Sequence, residues 1–239
     1  NGTKHFPGKG IINFLESIGA SFGGNINAYT SFDRTVYTLM KIPVPRRSIV
    51  DSCILVLHDW SSFISLEDKE IDAERGVIEE EWRRSNNGDM RNMEKLLDFA
   101  FPNNKYGKRL PIGKMDIVRH FPYQVLRDYY KKWYRPDLQA LIIVGDVDVD
   151  YVEAQIKKTF ADIPAPVNAA KRVYVPVEDN AKPIVGIVSD KEATQNTITV
   201  TYKSDVTPPE VRASIMGPLE DYINDLVSTM VIQRFSDMT

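Results

Sequence analysis

The sequence has only one cysteine, Cys53. A single cysteine allows no intrachain disulfide, and it excludes every zinc motif that is built from several thiolates. Such a composition fits a reducing compartment, and a periplasmic protein without disulfides fits it equally well. Cys53 lies in a stretch with helical spacing of apolar residues, which predicts a thiol in the core.

Long apolar runs and a strong charge bias are also missing. No run approaches the roughly 18 apolar residues that a membrane-spanning helix needs, so we predict no transmembrane segment. The net charge of −3 carries too little positive bias to indicate a nucleic-acid partner. The chain begins at Asn1 without an initiator methionine, and we expect it to be a piece of a longer polypeptide.

The periodicity of apolar residues predicts an α+β fold. Alternating residues predict a β-hairpin from two strands, Asn25–Thr30 and Thr35–Met40. The continuous apolar run Leu141–Val144 predicts a fully buried strand. Helical spacing predicts helices over Gly10–Ile18, Ser48–Phe63, Leu66–Arg84, Met93–Phe101, Met115–Phe121, Tyr123–Tyr134, Val149–Phe160 and Glu210–Met238. We therefore predict mainly an antiparallel sheet, with helices packed on one face.

Composition also predicts a domain boundary. Residues 164–183 are rich in proline and charge, which predicts a linker. The linker would separate an N-terminal domain, residues 1–163, from the start of a second, similar domain, residues 184–239. In that second domain the runs Ile184–Val188 and Thr197–Tyr202 predict two paired strands.

The predicted helix Leu66–Arg84 carries a pair of carboxylates, Glu74 and Glu81. Seven residues are close to two helical turns, so both side chains project from one face. Val77 and Ile78 supply apolar contacts near that face. Two carboxylates placed in this way can bind a cation, but acidic runs on helices are more often solvated faces.

The first strand of the hairpin suggests a binding edge. It is short, follows Gly23 and Gly24, and has small polar side chains in Asn25–Thr30. A strand of this kind suits an edge that is open to an added peptide strand. The alternative is an edge that is merely solubilised by its polar residues.

Several spaced motifs together resemble one family. They are Asn1-Gly2-Thr3-Lys4, Phe14-Leu15-Glu16-Ser17-Ile18-Gly19-Ala20, Asn27-Ala28-Tyr29-Thr30-Ser31 with Thr35-Val36-Tyr37, Glu74-Arg75-x-Val77-Ile78-x-x-Glu81, Tyr106-Gly107, Pro111-Ile112-Gly113, Trp133-Tyr134-Arg135-Pro136 and Val144-Gly145-Asp146-Val147. In this order they resemble the pitrilysin/insulinase family of zinc metallopeptidases, the inverted zincins. The resemblance covers essentially the whole chain.

The resemblance implies a zinc site and a peptide site. In this family two histidines of a His-x-x-Glu-His helix hold the zinc, and the glutamate between them is the general base. The third ligand comes from a downstream helix, and by motif it would be Glu81, with Glu74 as the supporting acidic residue of the catalytic site. Asn27, Ala28, Tyr29 and Thr30 would lie on the edge strand that receives an extended peptide or unfolded polypeptide.

The sequence departs from the family in one respect. The family's His-x-x-Glu-His motif lies a few residues before the segment that resembles Asn1-Gly2-Thr3, and His5, His58 and His120 do not reconstruct it. We therefore expect zinc in the full-length parent, leave open whether this fragment holds it, and predict no peptidase activity for the fragment alone. A noncatalytic scaffold or partner subunit of the same fold, and a plain interaction module, stay open as alternatives.

The resemblance also bears on partners and compartment. Family members close two halves around a peptide chamber, so the implied partner is the second half of the same polypeptide or a homologous subunit. Longer bacterial relatives are often exported, which favours a periplasmic or exported location over the cytoplasm.

Overall fold

Helices dominate the computed structural model, which describes residues 2–21 and 23–238. The chain divides into two units, Asn1–Thr194 and Gln195–Thr239. The predicted linker 164–183 lies within the first unit, and its role as a linker stays a prediction. The assignment of residues 184–239 to a second, similar domain stays a prediction as well.

The first unit contains seven α-helices among its described residues, and periodicity predicted all of them. They are α1 Gly10–Ser17, α2 Arg47–Ser62, α3 Asp68–Ser85, α4 Gly88–Ala100, α5 Met115–His120, α6 Tyr123–Trp133 and α7 Val149–Thr159. Two short 3-10 helices, Pro136–Leu138 and Phe160–Asp162, follow α6 and α7. Helix α4 begins five residues before the predicted start at Met93, because the Asn87 side chain caps it by accepting from the Met90 amide.

In the described part of the second unit, two helices stand where one long helix was predicted. They are α8 Pro209–Arg212 and α9 Met216–Ser236. Pro218 explains the break, since a proline inside a continuous helix removes one backbone hydrogen bond and clashes with the carbonyl of Ser214. By restarting at Met216, the chain places Pro218 in the first turn of α9, where a missing N–H costs little.

The predicted β-hairpin is confirmed. Strand β1, Ile26–Thr30, pairs antiparallel with strand β2, Thr35–Leu39, in a register that runs from Ile26 opposite Leu39 to Thr30 opposite Thr35. The Ser31 amide donates to the Arg34 carbonyl at 2.8 Å and closes the turn. These two strands form the one sheet within the described residues.

The predictions of further strands were wrong. Leu141–Val144, Ile184–Val188 and Thr197–Tyr202 form no strand, and Ile142 and Val144 are 80% and 90% exposed. An apolar run becomes a buried strand only where a neighbouring strand forms hydrogen bonds with its N–H and C=O groups. These runs have no such partner within the described residues, so the predicted main antiparallel sheet is corrected to a two-stranded one in a helix-rich fold.

The core of the first unit lies between α1, the hairpin and α2. Its buried members are Ile11, Leu15, Ala20, Ile26 and Val56, with partly buried Phe6, Phe14, Ile18, Leu39, Ile42 and Trp60 packed around them. Cys53 is buried as predicted, and its burial raises the pKa of the thiol to about 11. Among the described helices, none has both the length and the apolarity to cross a membrane.

Candidate functional site

One side of α3 is fastened to the segment that contains α5. The Arg75 guanidinium donates to the carbonyls of Val118 and Phe121, the latter at 2.7 Å, and lies 4.0 Å from the centre of the Phe121 ring. One helical turn further along, Glu79 accepts from Arg119 at 2.7 Å, and this ion pair lowers the pKa of Glu79. These contacts fix how α3 is rotated about its own axis.

Glu74 and Glu81 project from a different side of α3, about 100° around the axis from Arg75. Both side chains are exposed. Neither carboxylate has a hydrogen bond or an ion pair to any part of the chain that the structure describes. The other acids of α3 all have a partner: Asp68 with Arg127, Asp72 with Arg75 and Tyr123, Glu79 with Arg119 and Arg83, Glu80 with Arg83 and Arg84, and Glu70 with a further interaction.

An open groove of about 870 Å³ runs along α3 beside Glu81. It is lined by Ala73, Gly76, Val77, Glu80, Glu81, Arg84 and Ser85. The middle of this strip is small and apolar: Val77 is 58% exposed, and a Cβ added at Gly76 would meet nothing within 4 Å. Glu81 therefore lies at the rim of a helix face that could be approached closely by another element, while Glu74 does not line the groove.

A carboxylate such as that of Glu81 can hold zinc only together with further ligands. Zinc accepts carboxylate oxygens, but a catalytic site needs three protein ligands in a tetrahedral arrangement. Among the described residues, the one group of three side chains with ligand atoms close together is His5, His58 and Asp59. It contains neither glutamate of α3. The roles of Glu81 as third ligand and of Glu74 as supporting catalytic residue stay predictions.

The group around Asp59 was not predicted from the sequence. Asp59 and His58 are buried on α2, with exposed fractions of 0% and 1%, and His5 lies on the segment before α1. His58 is a satisfied histidine, since Asp59 and Asp162 each lie within hydrogen-bond distance of one of its ring nitrogens. His5 and Asp59 lie 54 positions apart in the chain, and no spacing pattern connects residues that are so far apart in sequence.

The backbone of β1 has a free edge at the predicted peptide site. The Met40 amide donates to the Asn25 carbonyl at 2.7 Å, and hydrogen-bonded pairs alternate along an antiparallel ladder. By this alternation Asn27 and Tyr29 face β2, whereas the N–H and C=O groups of Ala28 and Thr30 point away from it. All four residues are exposed. The outward Ala28 amide donates to the Asn27 side-chain oxygen at 2.8 Å.

An aromatic cluster connects the hairpin to α6. The hydroxyls of Tyr37 and Tyr134 are 2.8 Å apart, and the Tyr37 ring lies 5.5 Å from that of Trp60. Burial, and then the hydrogen bond with Tyr134, raise the pKa of Tyr37 far above its ordinary value. The Tyr130 hydroxyl donates to the Trp60 carbonyl at 2.8 Å. Tyr134, just after α6, therefore holds β2 by a neutral hydrogen bond to Tyr37, while Tyr130 of α6 holds α2 through the Trp60 carbonyl.

Comparison with known proteins assigns the chain to a family. A family model described as "Insulinase (Peptidase family M16)" matches residues 1–111, and one described as "Peptidase M16 inactive domain" matches residues 120–216. "Probable zinc protease PqqL" of Escherichia coli (strain K12) is 36% identical over 236 residues, which are 99% of this chain and 24% of that protein. "Zinc protease PQQL-like" of Arabidopsis thaliana is 29% identical over 235 residues, or 98% of this chain and 24% of that protein.

Solved structures are similar as well. The first half of the periplasmic protease PqqL from Escherichia coli matches with a TM-score of 0.69 and 37% identity, covering 75% of this chain and 38% of that one. Pitrilysin shares the fold at 20% identity, with a TM-score of 0.60 over 74% of this chain and 18% of that one. The chain spans about a quarter of the length of the curated relatives PqqL and PQQL-like. The two family models and these relatives agree, and the chain belongs to the pitrilysin/insulinase family, peptidase family M16.

Proposed function

We propose that this chain is part of a zinc-dependent metalloendopeptidase and that Glu81 is its third zinc ligand. The observation that carries the proposal is the selective lack of partners on α3. Arginines, a tyrosine or another group engage every other acid of the helix, and Glu74 and Glu81 alone have no partner among the described residues. Carboxylates that are left free on one side of an otherwise paired helix are available to a cation.

The groove beside Glu81 supports the same proposal. Its small apolar lining lets a second helix come close enough for side chains on that helix to reach the Glu81 carboxylate. In the full-length parent, a segment with the His-x-x-Glu-His motif would occupy this position and complete the ligand set. Bound there, zinc would lower the pKa of its water to near 7 and polarise the scissile carbonyl. Glu74, about two helical turns before Glu81, would orient a ligand or tune the site.

The free edge of β1 would bind the substrate. The carbonyl of Ala28 and the backbone groups of Thr30 point away from β2, so an extended peptide can add as a further strand. The Ala28 amide becomes available once the Asn27 side chain releases it. Because this mode of binding requires an extended backbone, we propose unfolded polypeptides or unstructured peptides as substrates.

The remaining chain of the parent would complete the enzyme. This chain spans 24% of the Escherichia coli relative, so we propose that the second half of the same polypeptide, or a homologous subunit, closes over the peptide. The solved relative from Escherichia coli is described as a periplasmic protease, and we propose an exported location for the parent of this chain.

A noncatalytic scaffold of the same fold is the second candidate. It is favoured by one observation, that no described histidine stands with Glu81 in a ligand group. The matching of residues 120–216 to a domain described as inactive does not separate the two candidates, because that match lies outside α3.

Zinc content and peptidase activity of the full-length parent test the proposal. We expect about one zinc per chain and chelator-sensitive hydrolysis of an unstructured peptide. Glu81→Gln should abolish both, because an amide is a poor replacement for a carboxylate ligand. Glu80→Gln is the matched control, since it makes the same change one residue earlier at a carboxylate that pairs with Arg83 and Arg84. Undiminished zinc in Glu81→Gln would contradict the ligand assignment.

A further inference from the structure

Three separate parts of the first unit meet at Asp59. Its Oδ2 accepts from the Thr3 hydroxyl at 2.6 Å and from the His5 amide at 2.8 Å. Its Oδ1 lies 2.7 Å from His5 Nδ1 and 3.0 Å from His58 Nδ1. One fully buried carboxylate therefore accepts four hydrogen bonds, three of them from the segment that precedes α1.

A second carboxylate extends the network. His58 Nε2 lies 2.7 Å from Asp162 Oδ1, and the Lys4 ammonium lies 3.0 Å from Asp162 Oδ2. Each ring nitrogen of His58 therefore has a carboxylate oxygen within hydrogen-bond distance, Asp59 at Nδ1 and Asp162 at Nε2. Phe63 stacks on the His58 ring at 4.7 Å and Phe160 meets it edge-on at 5.2 Å, so apolar rings cover the buried imidazole, whereas the Lys4 and Asp162 side chains are about half exposed.

Hydrogen bonding keeps Asp59 ionised. Burial alone would raise the pKa of Asp59, but the hydrogen bonds from Thr3, His5 and His58 outweigh it and the pKa lies below its ordinary value. A buried carboxylate with this many donors is stable only while the donors stay in place. Loss of the charge would therefore release several contacts at once.

The side chains of His5, His58 and Asp59 do not form a metal site. Zinc ligands at about 2.0–2.1 Å in a tetrahedral arrangement stand roughly 3.3 Å from one another. The distances from Asp59 Oδ1 to the two imidazole nitrogens are 2.7 and 3.0 Å, which are hydrogen-bond lengths. Asp59 also has no acceptor position left over, because Thr3 and the His5 amide take its second oxygen.

The network fastens the Gly2–His5 segment to the connection that leads into α3. The Lys4 amide donates to the Phe63 carbonyl at 3.1 Å, and the Ser65 amide donates to the Gly2 carbonyl at 2.9 Å. Helix α3 begins three residues after Ser65. The segment is thus tied both to α2, through Asp59, and to the residues immediately before the helix that carries Glu81.

We propose that Asp59 is a positioning residue, which fixes the Gly2–His5 segment and thereby the placement of the chain before it relative to Glu81. This inference rests on the proposed function, in which that preceding chain supplies the other zinc ligands. Asp59 itself touches neither metal nor substrate. It acts through the path of the backbone, so its loss should loosen the ligand set without removing a ligand.

The test uses the full-length protein with Asp59→Asn, and with Asp190→Asn as the matched control. Asp190 is another nearly buried carboxylate that accepts several hydrogen bonds, from Arg91 and from the Glu192 amide, but none from the Gly2–His5 segment. Zinc affinity is measured by competition with a chelator below the unfolding temperature of each variant. Hydrogen exchange of the His5 amide is measured in the same samples.

We expect Asp59→Asn to weaken zinc binding about tenfold, the lower end of the range for groups that orient metal ligands without binding the metal, and to speed exchange of the His5 amide about tenfold. Asp190→Asn should leave both quantities at the wild-type value even if it lowers the unfolding temperature. If Asp59→Asn does not fold, Thr3→Val removes one hydrogen bond to the same carboxylate and should give a smaller change in the same direction.

Two results would overturn the inference, and they differ from a failure of the proposed function. Wild-type zinc affinity in Asp59→Asn, or in Thr3→Val when that variant takes its place, would show that the cluster serves stability alone. Equal weakening by Asp190→Asn would show that any loss of stability loosens zinc. A wild-type protein that binds no zinc and cleaves no peptide would instead refute the proposed function itself.

Discussion

Arg75 should be the side chain that sets the rotation of α3 about its own axis, and its replacement should lower the free energy of unfolding. Replacement by methionine keeps the aliphatic stem but removes the guanidinium, which donates to two carbonyl groups and lies over the Phe121 ring. The Arg75 side chain is only 14% exposed, so water replaces these contacts poorly. We predict that Arg75→Met destabilises the first unit much more than the loss of a surface charge does.

The magnitude follows from the contacts. Two hydrogen bonds from a charged donor contribute roughly 1 to 1.5 kcal/mol each, and the stacking on Phe121 contributes about 0.5 to 1 kcal/mol. The ion pair with Asp72 adds little, because the Asp72 side chain is 53% exposed. The expected loss is therefore about 2.5 to 4 kcal/mol. Arg75→Lys keeps the charge but not the planar guanidinium that donates to two carbonyls, and it should lose about half of that amount.

Urea unfolding of the chain, followed by circular dichroism, measures this loss. Arg84→Met is the control, because Arg84 lies on the same helix, its side chain is 79% exposed, and within the described residues its ion pair is with Glu80 alone. That control should change stability by less than about 0.5 kcal/mol. Equal effects of the two substitutions would refute the view that Arg75 anchors α3.

Further predictions concern the core, the hairpin and acid stability. Leu15→Ala should cost about 2 to 5 kcal/mol in urea unfolding, since Leu15 is fully buried; a loss under 1 kcal/mol would contradict its place in the core. Tyr37→Phe should cost about 1 kcal/mol by removing the contact with Tyr134, and an unchanged unfolding midpoint would show that this hydroxyl pair does not hold β2. Because the pKa of Asp59 is lowered in the folded state, its stabilisation is present above the ordinary aspartate pKa and is lost as pH falls through the folded value. Stability should therefore drop less between pH 6 and pH 3 in Asp59→Asn than in the wild type, and parallel curves would contradict the sign of that pKa change.

The spacing of apolar residues along the chain predicted the helices and the hairpin, whose conformation depends on residues close in sequence. The helical spacing of apolar residues located α1 to α7, and the placement of Glu74 and Glu81 on one side of α3 follows from helical geometry alone. The hairpin was predictable because alternation and a short turn both lie within 16 residues of chain. In these cases each residue's conformation is set by near neighbours.

Features that depend on distant partners could not be predicted in the same way. Leu141–Val144 has the composition of a buried strand, but a strand also requires a neighbour in space, and none of the described residues pairs with it. Asp59 and its neighbour His58 have the pattern of ordinary helix residues until Thr3 and His5 fold against Asp59 and Asp162 folds against His58. The lack of an ion-pair partner for Glu81 among the described residues also depends on the three-dimensional structure. Only the structure shows that arginines pair with its neighbours Glu79 and Glu80.

The most direct test of the account is the position of zinc in crystals of the full-length parent, located by anomalous scattering at the zinc absorption edge. The account predicts one zinc with a Glu81 carboxylate oxygen at about 2.0 to 2.2 Å, beside the groove lined by Gly76 and Val77. Zinc bound at a place that Glu81 does not reach, with the Glu81 side chain in solvent, would contradict it.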